Sequence, residues 1–333
     1  VIGRMPPDLA SDAQWRYWRA FALNEAGEVE TATAQLQELS TRTSYYGFLA
    51  ADALDQPYTI CPLDPPDDDA GVNRLRERPA FARALELRAV GLEDWALWEW
   101  ARASRSLEVK ELRAAAALAW QEAWYDRAIF ALGDSGDRRL YEWRFPTPWE
   151  DVVRREASKT RLDASWVFGV MRSESALAER ARSSAGALGL MQVMPATARQ
   201  VSRQHGLTYS GSAQLREAET NIVFGTRYMR DLLDRFDQNP VLVSGAYNAG
   251  PAAVERWLRE RPNGDIASWV ETIPYYETRD YIPRVMAFTV IYDWRLGNPV
   301  KRVSSRMAGL DLKTQQPERT AGVVCLAPTM EAP

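Results

Sequence analysis

One glutamate in this sequence is placed where an isolated carboxylic acid can act as a proton donor. Val167, Val170, Met171 and Glu174 are spaced as i, i+3, i+4 and i+7, which predicts one face of an α-helix. The first three are apolar, so the carboxyl of Glu174 ends an apolar face. Because a charged carboxyl is costly in apolar surroundings, we expect its pKa to be raised. A carboxyl that keeps its proton near neutral pH can serve as a general acid.

The residues after Glu174 are predicted to form a loop that a ligand can approach. Ser, Ala and Gly predominate there, and Gly186 and Gly189 leave room for close contact with a ligand or with other backbone. Gln192 and Met194 then precede Pro195. A glutamate at a helix end is usually a solvated terminus without a catalytic role. The loop that follows it is therefore what favours the catalytic interpretation.

The spacing of these residues resembles the catalytic helix of the soluble lytic transglycosylases, whose catalytic domain is similar to goose-type lysozyme. In that family a Glu-Ser pair is followed by a serine, nine residues after the glutamate, and then by Gly-Leu-Met-Gln. Glu174, Ser183 and Gln192 fall in this pattern. The resemblance implies that Glu174 is catalytic and that Ser183, Gln192 and Met194 bind substrate.

Three later segments resemble further motifs of the same family. The segment that starts at Asn221 resembles Asn-Ile-x-x-Gly-x-x-Tyr and is expected to be mainly structural. Residues 246–250 read Ala-Tyr-Asn-Ala-Gly, in which Tyr247 offers a hydroxyl and Asn248 an amide. Taken alone, that segment is also consistent with an ordinary turn at a helix end.

The third segment, residues 274–281, resembles Pro-x-x-Glu-Thr-Arg-x-Tyr. It adds Glu277 to the implied substrate-binding residues, together with Tyr247 and Asn248. The sequence leaves two roles open for Glu277. It either contacts the substrate directly or forms an ion pair with Arg279 that organises the floor of the cleft.

The composition argues against several other functional classes. The 333 residues carry a net charge of −4, which gives no support for a nucleic-acid partner. His205 is the only histidine, so a Ser-His-Asp centre would have to use it. Cys61 and Cys325 lie far apart and cannot form a zinc set with one histidine. We expect no metal and no cofactor, and no apolar run is long enough to predict a membrane span.

Helical periodicity through most of the chain predicts an all-α fold. Pro and Asp residues over 61–73 predict a linker, and the helices that follow are expected to bury Leu85, Trp95, Trp98 and Trp124. With the resemblance, the chain divides into four parts. These are the end of an α-superhelical domain (1–67), a helical linker domain (68–142), a lysozyme-like catalytic domain (143–302) and a tail (303–333).

The resemblance implies a peptidoglycan lytic transglycosylase that cleaves the β-1,4 bond between N-acetylmuramic acid and N-acetylglucosamine. One glutamate would act as acid and then as base, and the product would carry a 1,6-anhydromuramoyl end. Two alternatives stay open: a lysozyme-type hydrolase, which needs a second carboxylate, and a catalytically inactive cell-wall scaffold.

The implied substrate also predicts where the protein works and what it meets. We expect a periplasmic protein whose partners are peptidoglycan glycan strands, with other cell-wall enzymes as further candidates. An oxidising compartment permits a disulfide between Cys61 and Cys325. The sequence leaves open whether the two thiols are bonded or buried apart.

Overall fold

Helices make up nearly all the regular secondary structure in the computed structural model, which describes residues 5–261, 265–307 and 318–325. This confirms the predicted all-α class. The described residues form two compact units. One draws on Val1–Cys61, Trp149–Glu174 and Arg180–Pro333, and the other on Pro62–Pro148 and Ser175–Glu179. The sequence-based boundaries at residues 67, 142 and 302 stay predictions.

The amino-terminal helices belong to the first unit. They are α1 (Pro7–Ala10), α2 (Ala13–Glu25), α3 (Val29–Ser40) and α4 (Tyr45–Ala53), followed by the short strand β1 (Tyr58–Thr59). Helix α2 packs on α3, and α3 on α4. The side chain of Asp12 accepts a hydrogen bond from the first turn of α2, and that of Ser44 does the same at α4, as residues that favour helix starts do.

The second unit contains six helices among its described residues: α5 (Asp69–Glu77), α6 (Pro79–Ala89), α7 (Glu93–Ser104), α8 (Val109–Gln121), α9 (Tyr125–Ser135) and α10 (Tyr141–Arg144). The predicted linker over 61–73 is wrong in its second half, because α5 begins at Asp69. Asp68 starts that helix by accepting a hydrogen bond from the Gly71 amide at 2.9 Å.

The core of the second unit is built on the alanine-rich helix α8, which packs against α5 and α9. Trp124 is buried there and Leu85 packs against the core, as expected. The expected burial of Trp95 and Trp98 is wrong, since their side chains are 64% and 56% exposed. Helix α7 packs with the face that carries Trp100, which is buried. Trp95 and Trp98 lie on the opposite face of the helix and therefore remain in solvent.

The remaining elements belong to the first unit apart from the last residue of α12. They are α11 (Glu150–Thr160), α12 (Ala164–Ser175), α13 (Pro195–His205), a 3₁₀ turn (Ser212–Arg216), α14 (Ala218–Arg235), α15 (Pro240–Ala249), α16 (Pro251–Glu260), α17 (Ile266–Glu271), α18 (Tyr276–Arg295), α19 (Val303–Arg306) and the strand β2 (Val323–Val324). Helix α14 packs on α11, α13 and α15, and α15 packs on α16 and α18.

Helices α12 and α18 approach closely because α12 has a glycine at the crossing. A Cβ atom at Gly169 would lie 2.7 Å from Oγ1 of Thr289 on α18, which is closer than real Cβ contacts. Phe168, the residue before Gly169, stacks its ring on that of Tyr292, which lies one turn after Thr289 on α18, with 5.0 Å between centroids. The predicted apolar face of α12 is confirmed, since Val167, Val170 and Met171 are buried.

The end of the chain is tied to the amino-terminal helices. Strand β2 pairs in parallel with β1, with Tyr58 opposite Val323. Cys61 and Cys325 form a disulfide, which answers the question that the sequence left open. Nearby, the guanidinium of Arg302 forms an ion pair with Asp52 at 2.9 Å. Residues 318–325 are therefore fixed both covalently and by hydrogen bonds.

We expect no free thiols in the unreduced, denatured protein, because Cys61 is bonded to Cys325. The bond closes a chain segment of 264 residues. A constraint of that length on the unfolded chain contributes roughly 5 kcal/mol in the chain-entropy picture, and often less in practice. Thiol titration measures the first quantity, and a melting curve with and without reductant measures the second. Two reactive thiols per chain, or a melting temperature that reductant leaves unchanged, would contradict the assignment.

Candidate active site

The carboxyl of Glu174 lies at the carboxyl end of α12, where the apolar face of the helix ends. Burial raises the pKa of Glu174 from its usual value of 4.5 to about 7. A hydrogen bond from Tyr281 and the charge of Arg284 lower this pKa in part, while the charge of Glu277 raises it. Near neutral pH the group is thus present in both its protonated and its charged form. This is the property that a residue needs to act first as an acid and then as a base.

Tyr281 holds the Glu174 carboxyl in place. Its hydroxyl donates a hydrogen bond to Oε1 of Glu174 at 2.6 Å, and its ring is buried on α18. The sequence did not single out this residue, although it is the last residue of the segment that resembles Pro-x-x-Glu-Thr-Arg-x-Tyr. The available signal was its position four residues after Glu277, which places both side chains on one face of α18.

The loop between α12 and α13 is held by hydrogen bonds between its side chains and its own backbone. The side-chain amide of Gln192 donates to the carbonyls of Gly189 at 2.8 Å and Ala181 at 3.3 Å. The hydroxyl of Ser183 accepts one from the backbone amide of Ala187 at 3.0 Å. Met194 ends the loop and is 38% exposed. The loop therefore presents three of the predicted substrate-binding residues from one stabilised segment.

Helix α14 holds this loop through hydrogen bonds from one buried side chain. The buried Asn221 side chain accepts a hydrogen bond from the Met191 amide at 2.7 Å and donates to the carbonyls of Leu188 and Leu215, both at 2.8 Å. A Cβ at Gly225 would overlap the Met191 side chain, so only glycine leaves room for it. The predicted structural role of this segment agrees with these contacts.

Two residues of the Ala-Tyr-Asn-Ala-Gly segment connect the loop to α18. The hydroxyl of Tyr247, on α15, donates to the Met191 carbonyl at 2.7 Å. Asn248 accepts a hydrogen bond from the Thr278 hydroxyl at 2.6 Å and donates to Oε1 of Glu277 at 3.3 Å. Glu277 is exposed and bound by Asn248, which leaves one of its carboxylate oxygens for other contacts.

These contacts thus connect four segments of the chain, which carry Glu174, Gln192, the pair Tyr247 and Asn248, and Glu277. Tyr247 lies near enough to the Glu174 charge for that charge to contribute to its raised pKa, after burial, which is the larger cause. The groups that act on the Glu174 carboxyl are thus the neutral hydroxyl of Tyr281, which bonds to it, and the charges of Arg284 and Glu277, which shift its pKa in opposite directions.

Among residues 5–261, 265–307 and 318–325, no group of three or more His, Cys, Asp and Glu side chains is placed to hold a metal ion. His205 bonds to Asp231 at 2.8 Å instead. Nor does any helix of the described ranges have the length and apolar character needed to cross a membrane.

Comparisons with known proteins agree with the geometry. Residues 151–270 match the family model of the transglycosylase SLT domain, and residues 272–300 that of the soluble lytic transglycosylase helical domain. Residues 74–136 match the L domain of soluble lytic murein transglycosylases. Lytic transglycosylase Slt from Pseudomonas aeruginosa, solved as an inactive mutant, superposes with a TM-score of 0.86 at 36% identity, over 91% of this chain and 49% of that one.

The chain belongs to the soluble lytic transglycosylase family.

Other members of the family show how much of a relative the chain represents. Soluble lytic murein transglycosylases from Salmonella typhimurium and Escherichia coli K12 are 34% and 32% identical over 301 residues, which is 89% of this chain and 46% of each relative. The 70 kDa soluble lytic transglycosylase from Escherichia coli superposes with a TM-score of 0.83 at 31% identity, over 96% of this chain and 50% of that one. The chain therefore spans about half the length of the curated relatives it matches.

The hydrogen bond between Tyr281 and Glu174 predicts a shift in the pH dependence of this transglycosylase-family site. Because that bond lowers the pKa of Glu174, Tyr281→Phe should raise it. The decline in activity above neutral pH, where the acid loses its proton, should then move to higher pH. Profiles of kcat/KM against pH report this change. Tyr247→Phe is the matched control, because its hydroxyl bonds to a backbone carbonyl. Equal profiles for wild type and Tyr281→Phe would argue against the predicted role of this bond.

The buried Asn221 side chain predicts a coupled loss of stability and activity. Asn221→Ala removes three hydrogen bonds and leaves buried backbone groups without partners, which should destabilise the protein by about 2–4 kcal/mol. Activity should fall with it, because the loop that carries Gln192 loses its support. Urea unfolding and turnover are the measurements. Asn298→Ala, which removes a single side-chain bond to Ser165, should cost much less, and a similar cost in both variants would contradict this view.

Proposed function

We propose that this protein is a lytic transglycosylase that cleaves the β-1,4 bond between N-acetylmuramic acid and N-acetylglucosamine in peptidoglycan. The observation that carries the proposal is the Glu174 carboxyl, which is desolvated and accepts a hydrogen bond from Tyr281. A carboxyl with a pKa of about 7 can give up a proton and take one back within a single reaction. The named relatives, soluble lytic murein transglycosylases, support the same substrate.

The reaction proposed for Glu174 has two steps. In the first, the protonated carboxyl transfers its proton to the glycosidic oxygen as the bond to the anomeric carbon breaks, and the N-acetyl group of the muramoyl sugar supports the positive charge. In the second, the Glu174 carboxylate takes the proton from the 6-hydroxyl of that sugar. The hydroxyl oxygen then bonds to the anomeric carbon. Glu174 ends protonated, and the product carries a 1,6-anhydro ring without consumption of water.

The polar side chains around Glu174 are proposed to orient the sugar. Ser183, Gln192, Tyr247 and Asn248 supply neutral donors and acceptors that suit an N-acetyl group. Met194 and Glu277 are proposed as further contacts at the sides of the cleft. In the free protein the donors of Gln192 and Tyr247 bond to loop carbonyls, so these residues also hold the site that they line.

The proposed substrate implies an extracytoplasmic, periplasmic location. The disulfide between Cys61 and Cys325 supports this, because such bonds persist in oxidising compartments. Peptidoglycan glycan strands are the proposed partners. Other cell-wall enzymes are a further candidate class.

A lysozyme-type hydrolase is the alternative that shares most of this chemistry. It requires a second carboxylate that activates water, and Glu277 is the carboxylate whose charge acts on Glu174. An inactive scaffold is the other alternative. It gives no reason to retain a desolvated carboxyl, which opposes folding when it ionises.

Glu174→Gln is predicted to abolish turnover of purified peptidoglycan and to leave glycan binding nearly intact. Acid catalysis contributes about 10²–10⁴-fold, and use of one residue in both steps should raise that factor. Mass spectrometry of the wild-type products tests the reaction itself, because an anhydro sugar lacks one water relative to a hydrolysis product. Products of the hydrolysed mass would favour the lysozyme-type alternative. Substantial activity in Glu174→Gln would remove Glu174 from the catalytic role.

Two controls separate loss of chemistry from loss of fold. Glu179→Gln changes an exposed glutamate five residues further on and should keep wild-type activity. Wild type should lose stability as the pH rises from about 4.5 to about 7, because the folded-state pKa of Glu174 is raised and its ionisation then opposes folding. Glu174→Gln lacks this loss, so above neutral pH its melting temperature should equal or exceed that of wild type.

A further inference from the structure

The ring of Tyr276 is the most exposed large side chain near the candidate site. Tyr276 is the first residue of α18 and is 76% exposed. Its neighbour Tyr275 is different, because the Tyr275 ring packs edge-on against buried Trp257 with 5.1 Å between centroids. Singly exposed rings are common on protein surfaces. What distinguishes Tyr276 is therefore its position in the chain, directly before Glu277 at the start of α18.

One side of the Tyr276 ring is occupied by an arginine. The guanidinium carbon of Arg279, one turn further along α18, lies 5.5 Å from the ring centroid. The two side chains attract each other, because the face of an aromatic ring is electrostatically negative. Since the residue is largely exposed, the rest of the ring is open to solvent.

Tyr276 stands at the rim of the Glu174 site. Its backbone is joined directly to Glu277, so the two Cα atoms are about 3.8 Å apart. Glu277 in turn is bonded to Asn248 and interacts electrostatically with Glu174. Successive residues on a helix point about 100° apart. The Tyr276 side chain therefore points to a different side of α18 from the Glu277 side chain, which bonds to Asn248.

Resting on the proposed function, we propose that the Tyr276 ring is a stacking platform for a pyranose ring of the glycan strand, outside the pair of sugars whose bond is cleaved. One face of a pyranose exposes C–H groups with a partial positive charge. The face of an aromatic ring carries a partial negative charge, so the two faces attract each other. The flat, exposed ring of Tyr276 fits this contact, and its position beside Glu277 places the stacked sugar further along the strand.

A contact of this kind acts on binding rather than on the chemical step. It is formed with the substrate before the bond breaks and changes little in the transition state, so its removal should raise KM and leave kcat nearly unchanged. Tyr276 is therefore assigned as a residue that determines affinity for longer strands, and Glu174 keeps its separate role.

The test measures binding of a soluble N-acetylglucosamine hexamer by titration calorimetry, with the full chain carrying Glu174→Gln to prevent turnover. Adding Tyr276→Ala should raise the dissociation constant of the hexamer about three- to tenfold. Adding Tyr276→Phe should leave it within about twofold, because the ring face is kept. A dimer of the same sugar, which is too short to extend beyond the cleaved pair, should bind equally to all variants. In the active protein, which keeps Glu174, Tyr276→Ala alone should raise KM for glycan strands.

Phe130→Ala is the matched control. Phe130 is 51% exposed in the other compact unit, and Arg127 lies over its ring at 4.9 Å with the same three-residue spacing. It should leave hexamer binding unchanged. Equal hexamer binding by the Glu174→Gln protein with and without Tyr276→Ala would overturn the inference, as would an equal loss when Phe130→Ala is added or a complete lack of hexamer binding. A loss in Tyr276→Phe as large as in Tyr276→Ala would assign the contact to the hydroxyl and also overturn stacking.

The two proposals fail in different ways. Hydrolysed products from wild type would remove the transglycosylase reaction while a Tyr276 effect on hexamer binding would still stand. Anhydro products combined with unchanged binding in Tyr276→Ala would remove the stacking contact alone.

Discussion

The candidate site depends on keeping one carboxyl group largely out of water. Burial of Glu174 raises its pKa to about 7, and this burial follows from how closely α12 packs against α18. Gly169 permits that approach, because any side chain there would meet Thr289. The same packing places Tyr281 within hydrogen-bonding distance of Glu174. One helix crossing therefore sets both the proton affinity of the carboxyl and its orientation.

The residues proposed to orient the substrate also hold the site together. Gln192 adopts a positive φ of 47° and bonds to the carbonyls of its own loop, while Tyr247 bonds to the Met191 carbonyl. Asn221 supports the same loop from α14 with three hydrogen bonds. A residue with a non-glycine side chain in that backbone region persists only where its surroundings determine it strongly. Binding geometry and local stability are thus properties of one hydrogen-bonded network.

Buried charges near the end of the chain connect the amino-terminal helices to the start of α12. Arg302 pairs with Asp52 from α4, and Arg306 pairs with Asp163, whose carboxylate also accepts a hydrogen bond from the Ser165 amide in the first turn of α12. Loss of one member of such a buried pair leaves an uncompensated charge and is costly, even where the intact pair adds little net stability. The disulfide between Cys61 and Cys325 also ties residues 318–325 to the segment that follows α4.

The sequence by itself determined the helical class and the apolar face that ends at Glu174, because periodicity is a local property of the chain. The turn at Gly250, which has a positive φ of 85° and separates α15 from α16, is local in the same way. The sequence also supplied the motif residues of the site. Only the tertiary structure decided that Tyr281, 107 residues away, is the partner of Glu174, that Trp98 is exposed and that Cys61 is bonded to Cys325. Periodicity shows that a helix has an apolar face, but which helix covers that face depends on contacts between distant segments. Burial, pKa and hydrogen-bond partners follow from those contacts.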